Sequence, residues 1–251
     1  MKAGRPNAFL LIHGAWHGGW CWDRVASALR AQGDTVLAPT LPGMGEHEAP
    51  PSKDIGLIQH AAAVLQLIDQ QRLDDFVLVG HSYAGMVVSA VADQRAQRIR
   101  HLVYLDAFVP EHGQSLASLL PADTWAAFEQ SAGLSGSEQL LPAPPPALFG
   151  LSGELAMSTA PRLRAQPKAT FTQPAQLPRG GWAAVRARTY IACDEPASDV
   201  FEPFKRRLQQ DRAWGYQSMA TGHDAMLSAP DELAARLSRI ASEAWPRRSD
   251  S

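Results

Sequence analysis

Phe76-Val-Leu-Val-Gly80-His81-Ser82-Tyr83-Ala84-Gly85 is the stretch that decides the fold. Four apolar, β-favouring residues lead into a serine flanked by small residues, and a helix-compatible run follows to Ala92. This predicts a strand over 76–79 and a helix over 84–92, with Ser82 at the joint. A turn this tight strains the backbone of its central residue, and the residues two before and two after it must be small. Gly80 and Ala84 meet that condition, although the usual pattern, G-x-S-x-G, has glycine in the last place. A chance G-x-S-x-small match is common; one with a strand before it and a helix after it is much rarer. Ser82 is therefore the candidate nucleophile. The Tyr83 N–H, at the new helix N-terminus, is a candidate oxyanion donor. The bland alternative is a plain strand–turn–helix joint.

The same alternation extends outward. Residues 8–12, 35–38 and 102–105 read as strands, and 188–192 and 213–218 as weaker ones. Residues 23–32, 55–73 and 230–244 read as helices, the first stopped by Gly33 and the last opened by Pro230, Asp231 and Glu232. Alternating strands and helices imply an α/β class with a mostly parallel sheet and helices on both faces. Residues 111–186 break the rhythm with Pro, Ser and Gly, including Pro142-Ala-Pro-Pro-Pro146. They read as a helical cap or lid inserted into a core of 1–110 and 187–251, because Trp125, Phe128, Phe149, Phe171 and Trp182 need burial. A disordered linker is the alternative. A length of 251 residues gives about 1.7 domains at about 150 residues each, which suits one large core with an insertion.

Composition excludes several classes. Hydrophobic residues make up 45% and charged residues 19%, enough for a large core and unlike a disordered chain. The net charge of −2 offers no basic face for nucleic acid. No apolar run reaches the roughly 20 residues that span a bilayer, and the run at 8–12 is short of a signal core of about 7 residues. A cytoplasmic address is the expectation. Cys21 and Cys193 are too few for a disulfide framework.

The strand at 8–12 opens into His13-Gly-Ala-Trp-His-Gly-Gly-Trp20. A glycine-rich loop after a strand leaves backbone N–H groups free to face a ligand, and Ala15 is the second candidate oxyanion donor. There is no G-K-[ST] and no G-x-G-x-x-G for a phosphate. His13 and His17 have helical i,i+4 spacing in a loop with three glycines, which speaks against a metal pair. His13 reads as a brace for the loop. His17 and Trp20 either line the pocket or pack beneath it. No cofactor is implied.

A serine nucleophile needs a histidine base. His223, in Thr221-Gly-His-Asp224, follows a strand and precedes the last helix, at the sheet edge where Ser82 lies. His60 and His101 fall within or beside regular elements, and His47 follows the Gly43-Met-Gly45 loop. The acid has two candidate places. Asp106 ends the strand that follows the serine helix, where a carboxylate is held rigidly. Asp194, Glu195 and Asp199 follow a later strand, in a looser loop. Asp106 is favoured, with a helix cap or pocket wall as its alternative role. Trp16, His17, Tyr83 and Phe108 are candidate pocket walls.

These residues resemble the α/β-hydrolase superfamily, and within it the esterases grouped with plant methyl esterases, salicylate-binding esterases and hydroxynitrile lyases. The resemblance rests on Leu11-Ile-His-Gly-Ala-Trp-His-Gly-Gly-Trp-Cys-Trp22, Pro39-Thr-Leu-Pro-Gly-Met-Gly45, Val79-Gly-His-Ser-Tyr-Ala-Gly85, Val103-Tyr-Leu-Asp-Ala-Phe-Val-Pro110 and Gly222-His-Asp224. It covers 8–110 and 187–245 and barely touches the cap. It implies an α/β-hydrolase fold, Ser82 as nucleophile, His223 as base, and Ala15 and Tyr83 as oxyanion donors. Plant relatives carry the acid after the later strand, near Pro196 here, whereas some haloalkane dehalogenases of the superfamily carry a carboxylate where Asp106 falls. Those dehalogenases use an aspartate nucleophile, so Ser82 argues against that chemistry. Hydroxynitrile lyases are similar but use a lysine and a threonine where this chain has Asp224 and Gly14. The expectation is a serine hydrolase cleaving a small carboxylic ester through an acyl-enzyme. Other chemistries on the same scaffold remain open: a C–C bond hydrolase, a lactonase, a cofactor-free oxygenase, or a ligand-binding protein with a residual triad. The oligomeric state is undetermined by the sequence.

Overall fold

The computed structural model describes residues 6–45 and 54–243. His47 and the Arg247-Arg248 tail lie outside them. Six strands form one parallel sheet in the order β2-β1-β3-β4-β7-β8: β1 (Ala8–Ile12), β2 (Thr35–Leu37), β3 (Phe76–His81), β4 (Ile99–Leu105), β7 (Arg188–Cys193) and β8 (Gly215–Met219). Between β4 and β7, a two-residue hairpin of β5 (Leu140–Leu141) and β6 (Gln166–Pro167) stands apart from the main sheet.

Side chains alternate across a strand, so each central strand feeds two cores. Phe9, Leu11, Val77, Val79, Val103, Leu105 and Ile191 face one side, where α1 (Asp23–Ala31) and α10 (Pro230–Ser242) pack against them. Leu10, Ile12, Phe76, Leu78, Leu102, Tyr104 and Tyr190 face the other, covered by α2 (Leu57–Gln70) and α3 (Ala84–Arg95). This double burial explains why the strands read as unbroken apolar runs. Every residue of α3 from Ala84 to Asp93 is buried, as expected for a helix apolar on all sides.

The expected elements are present, the strand over 8–12 without change and the others with at least one end shifted by one to three residues. The helix expected over 55–73 runs only from Leu57 to Gln70, because Gly56 is extended and the chain turns at Arg72 with φ 50°. The strand expected over 213–218 starts at Gly215, after the turn closed by Trp214 N–H to the Asp211 carbonyl. Residues 111–186 are folded, with α4 (Leu116–Leu119), α5 (Ala122–Leu134), α6 (Gly153–Thr159) and α7 (Ala169–Thr172). Phe149 and Phe171 are buried, and Trp125, Phe128 and Trp182 pack against the same core, as their need for cover predicted. The Asp93 carboxylate accepts the Arg179 and Gly181 N–H groups at 2.7 and 2.9 Å, tying the end of this segment to α3. After it come α8 (Glu202–Gln210) and α9 (Ala225–Ser228). Among the described residues, no helix is long and apolar enough to cross a membrane.

Candidate active site

Ser82 sits between the end of β3 and the start of α3 with φ 54°, in the left-handed region that costs a non-glycine residue about 1–3 kcal/mol. The surroundings impose it. The Ser82 N–H donates to the Leu105 carbonyl at 3.2 Å, and its own carbonyl accepts from Gly85 and Phe108 at 3.0 and 3.2 Å. A Cβ on Gly85 would lie 1.9 Å from the Phe108 carbonyl oxygen, so this glycine lets α3 lie against the chain after β4. Asp106 and Trp16 also have positive φ, 40° and 64°, and both adjoin Ser82 in the fold.

Asp106 follows the tip of β4 and is fully buried. Its Oδ2 is 2.7 Å from Nδ1 of His223, and its Oδ1 accepts the Cys193 N–H at 3.3 Å. The Lys205 Nζ stands 3.4 Å from that same Oδ1. Asp194 pairs instead with Lys205, at 2.9 Å. His223 and Ser82 line one cavity, with the His223 ring stacked on Phe201 (centroids 4.8 Å apart, 15° between planes). An imidazole so placed keeps its Nδ1 occupied and leaves Nε2 as the nitrogen able to take a proton.

Ala15 and Tyr83 border the cavity too. Among the described residues, no acceptor bonds either backbone N–H, whereas the Trp16 N–H next in the chain is taken by Gln166 Oε1 at 3.0 Å. Gln166 is fully buried on β6, and the Trp16 indole N–H donates to the Leu141 carbonyl on β5 at 3.1 Å. The small hairpin thus clamps the loop that carries Ala15. A Cβ on Gly14 would stand 2.8 Å from His81 Nδ1 and 3.0 Å from the Ser82 Cβ, so only glycine lets this loop approach the serine.

The model for the alpha/beta hydrolase family matches residues 9–236. The chain belongs to the alpha/beta hydrolase family. A carbendazim hydrolyzing esterase of Nocardioides sp. (strain SG-4G) is 40% identical over 239 residues, 92% of this chain and 98% of that protein. Salicylic acid-binding protein 2 of Nicotiana tabacum is 31% identical over 133 residues, half of each chain. A solved extracellular alpha/beta-hydrolase from a Paenibacillus species, described as sharing structural and functional homology with that tobacco protein, superposes with a TM-score of 0.82. It is 27% identical and covers 95% of this chain and all of its own. This alpha/beta hydrolase is thus a carboxylesterase-like enzyme.

The hydrolase's cavity measures about 280 Å³. Trp16, Tyr83, Phe108, Phe128, Phe149, Phe171 and Phe201 supply the aromatic part of the wall, Leu116, Leu120, Pro144, Leu148 and Val200 add aliphatic surface, and Thr124 and Ser198 add hydroxyls. Among the described residues, no Lys, Arg, Asp or Glu lines the cavity. Of the residues expected as walls, Trp16, Tyr83 and Phe108 are there. His17 is not: it lies behind the loop, buried, with Nε2 3.0 Å from Asp224 Oδ2 and Nδ1 bonded to the Ala15 carbonyl at 2.8 Å. Phe149 comes between, its ring edge-on to His17 at 5.1 Å. Trp20 packs on the far side of His17 and carries the Arg162 guanidinium at 4.2 Å.

Behind the catalytic wall the hydrolase buries several imidazoles. His13 accepts the Leu41 N–H at Nε2 (3.0 Å) and bonds the Gly14 carbonyl at Nδ1 (2.8 Å), bracing two loops as the sequence suggested. Burial pushes it down to about 3, so it stays neutral. His81 bonds the His223 carbonyl at 3.1 Å, and burial holds it well below its ordinary value. For His17 burial also pulls down, but the Asp224 carboxylate raises it more, and it ends above its ordinary value. His60 bonds the Tyr83 hydroxyl at 2.9 Å and is pushed down by burial to about 4. His81, His223 and Asp224 bring ligand atoms within 4.8 Å of one another. His81 Nε2 is bonded to the His223 carbonyl and His223 Nδ1 to Asp106, so each histidine of this cluster has one ring nitrogen committed to the protein.

Sequence reasoning passed over Lys205, Asp224, Gln166 and His81. Two left a signal. Lys205 falls on the i, i+3, i+4, i+7 stripe with Phe201, Phe204 and Leu208, a place the helical period reserves for apolar residues. His81 extends the apolar run of β3. Gln166 lies among breakers and gave none.

Proposed function

We propose that this enzyme is a serine esterase acting on small, uncharged carboxylic esters with a flat aromatic or apolar group. Ser82 Oγ attacks the ester carbonyl while His223 Nε2 takes its proton. Asp106 holds the His223 ring and stabilises the imidazolium. The Ala15 and Tyr83 N–H groups receive the developing oxyanion, which preorganised amides favour because they need no reorientation. The imidazolium returns its proton to the leaving alkoxide. Water, activated by the same imidazole, then releases the acyl group from Ser82. Residues 111–186 act as the cap that closes the aromatic wall.

The observation that carries this reading is the 2.7 Å contact between His223 Nδ1 and Asp106 Oδ2, with His223 lining one cavity together with a strained serine and two residues whose amides are unbonded. The cavity supports the substrate class: its wall is aromatic and aliphatic, and among the described residues no charged side chain lines it to neutralise a carboxylate or an ammonium. The 40%-identical relative's name makes carbendazim a compound to assay alongside aryl and alkyl methyl esters. The test is steady-state hydrolysis of such a panel by wild type and Ser82→Ala. Aryl esters should lead, short alkyl and charged esters should lag, and Ser82→Ala should be inert. Undiminished turnover by Ser82→Ala defeats the mechanism, and turnover confined to lactones or β-diketones moves the chemistry elsewhere on the scaffold.

A further inference from the structure

Lys205 is the one lysine of α8, and its position is unusual. Its side chain is buried, yet Nζ finds three oxygens: the Cys193 carbonyl at 2.6 Å, Asp194 Oδ1 at 2.9 Å and Asp106 Oδ1 at 3.4 Å. A buried ammonium is tolerable only when it is paired. Asp194, whose side chain is 39% exposed, would suffice for that. The contact with Asp106 goes further, because it reaches the carboxylate whose other oxygen holds His223. A continuous row results: His223, Asp106, Lys205, Asp194, with charges alternating once the imidazole is protonated.

We propose that Lys205 is a positioning residue of the triad: it clamps the far oxygen of Asp106 and tempers the charge that the carboxylate presents to His223, while Asp194 tempers the lysine in turn. The inference rests on the esterase reading above, since only there does His223 exchange a proton during turnover. It also gives a use to the place where plant relatives are expected to carry their acid. Here that region supplies Asp194, the outer counter-ion of an acid that sits on the neighbouring strand.

Opposite signs follow from the two ends of the row. Without the cation, Asp106 exerts its full charge on the imidazolium, which then holds its proton to higher pH. Without Asp194, the lysine is less neutralised and bears harder on Asp106, so the imidazolium loses its proton at lower pH. The other titratable groups around the pair are His81 (ring 4.5 Å from His223), Asp224 and His17 behind it, and Cys193, Tyr190 and Tyr216 on β7 and β8. All of them remain in place in either variant.

The experiment is the pH profile of kcat/KM for an aryl methyl ester, measured on wild type, Lys205→Met, Lys205→Arg and Asp194→Asn, with Ser82→Ala assayed first. An inert Ser82→Ala secures the esterase reading; an active one sinks that reading and leaves the Lys205 question to NMR. The acid limb should move up by about one pH unit in Lys205→Met and down by a smaller amount in Asp194→Asn. Lys205→Arg should keep the wild-type limb. KM should hold while the plateau kcat of Lys205→Met falls about tenfold, equivalent to a small misplacement of the imidazole. The His223 ring protons, followed by NMR in the Ser82→Ala background, should titrate with the same opposite shifts, a readout free of turnover. If Lys205→Met does not fold, the downward shift in Asp194→Asn carries the test. Limbs that stay within about 0.2 unit of wild type, or that move in the same direction in both variants, reduce Lys205 to a structural ion pair.

Discussion

Asp106→Asn isolates the choice between the two candidate acids. The residue is fully buried and its two oxygens do different work: Oδ2 faces His223 Nδ1 at 2.7 Å, and Oδ1 faces the Cys193 N–H and the Lys205 ammonium. An asparagine has one acceptor and one donor end, and neither orientation suits. With its oxygen toward His223, the NH₂ points at two other donors. With its NH₂ toward His223, Nδ1 must become the acceptor. The proton then moves to Nε2, which can no longer accept one from Ser82. The wrong tautomer and the lost charge together lower kcat/KM by about 10³–10⁴, or about 4–5.5 kcal/mol of transition-state stabilisation. Folding stability drops by about 1–3 kcal/mol, for one buried group left facing its own kind. Intact-mass kinetics with a fluorophosphonate probe read the first quantity and urea melts the second. Labelling of a folded Asp106→Asn protein within threefold of wild type would refute the assignment and return the acid to residues 194–199.

Gly14→Thr places a side chain where its Cβ would stand 2.8 Å from His81 and 3.0 Å from Ser82, so the Ala15 amide is displaced. Ester turnover should fall about 10²-fold, the scale of one lost oxyanion donor, without a matching change in thermal midpoint; unchanged kcat would remove Ala15 from the account. Asp224→Ala strips His17 of its buried partner, and His17 then sheds its proton. A loss of about 3 kcal/mol in urea melts is expected, and a loss below about 0.5 would make the pair inconsequential. Stability should also fall as pH drops from about 6.5 to 4.5. His13, His60, His81 and His101 are buried with depressed values, so the unfolded chain takes up protons there while the native state does not. His17 adds nothing to the slope in this window, since its raised value contributes stability that is already complete below about 6.5 and is lost only as pH rises past its folded value. The four depressed imidazoles therefore set a loss of stability in acid; melts that are flat or stabilised over that window contradict the buried-neutral description.

Most of the core was legible because its signals are local. An apolar run such as 76–79 can only be a strand covered on both faces, and the serine between small residues marks its own turn. The place of Asp106 at a strand tip was legible for a similar reason, and its carboxylate lies against His223. What escaped depends on distance in the chain. Gln166 reaches Trp16 across 150 positions, and Asp224 reaches His17 across 207. Neither pairing leaves a periodicity, so His17 read as a pocket wall although its partner draws it behind the loop. The order in 111–186 was readable only as a need to bury aromatics, because its short helices carry no stripe long enough to show.

The most direct test of the central claim is labelling by a fluorophosphonate, read by intact mass, on wild type and Ser82→Ala. The account predicts a single adduct on wild type, located to Ser82, and none on the variant. An adduct that persists in Ser82→Ala, or a wild-type protein that hydrolyses esters yet never labels, would contradict it.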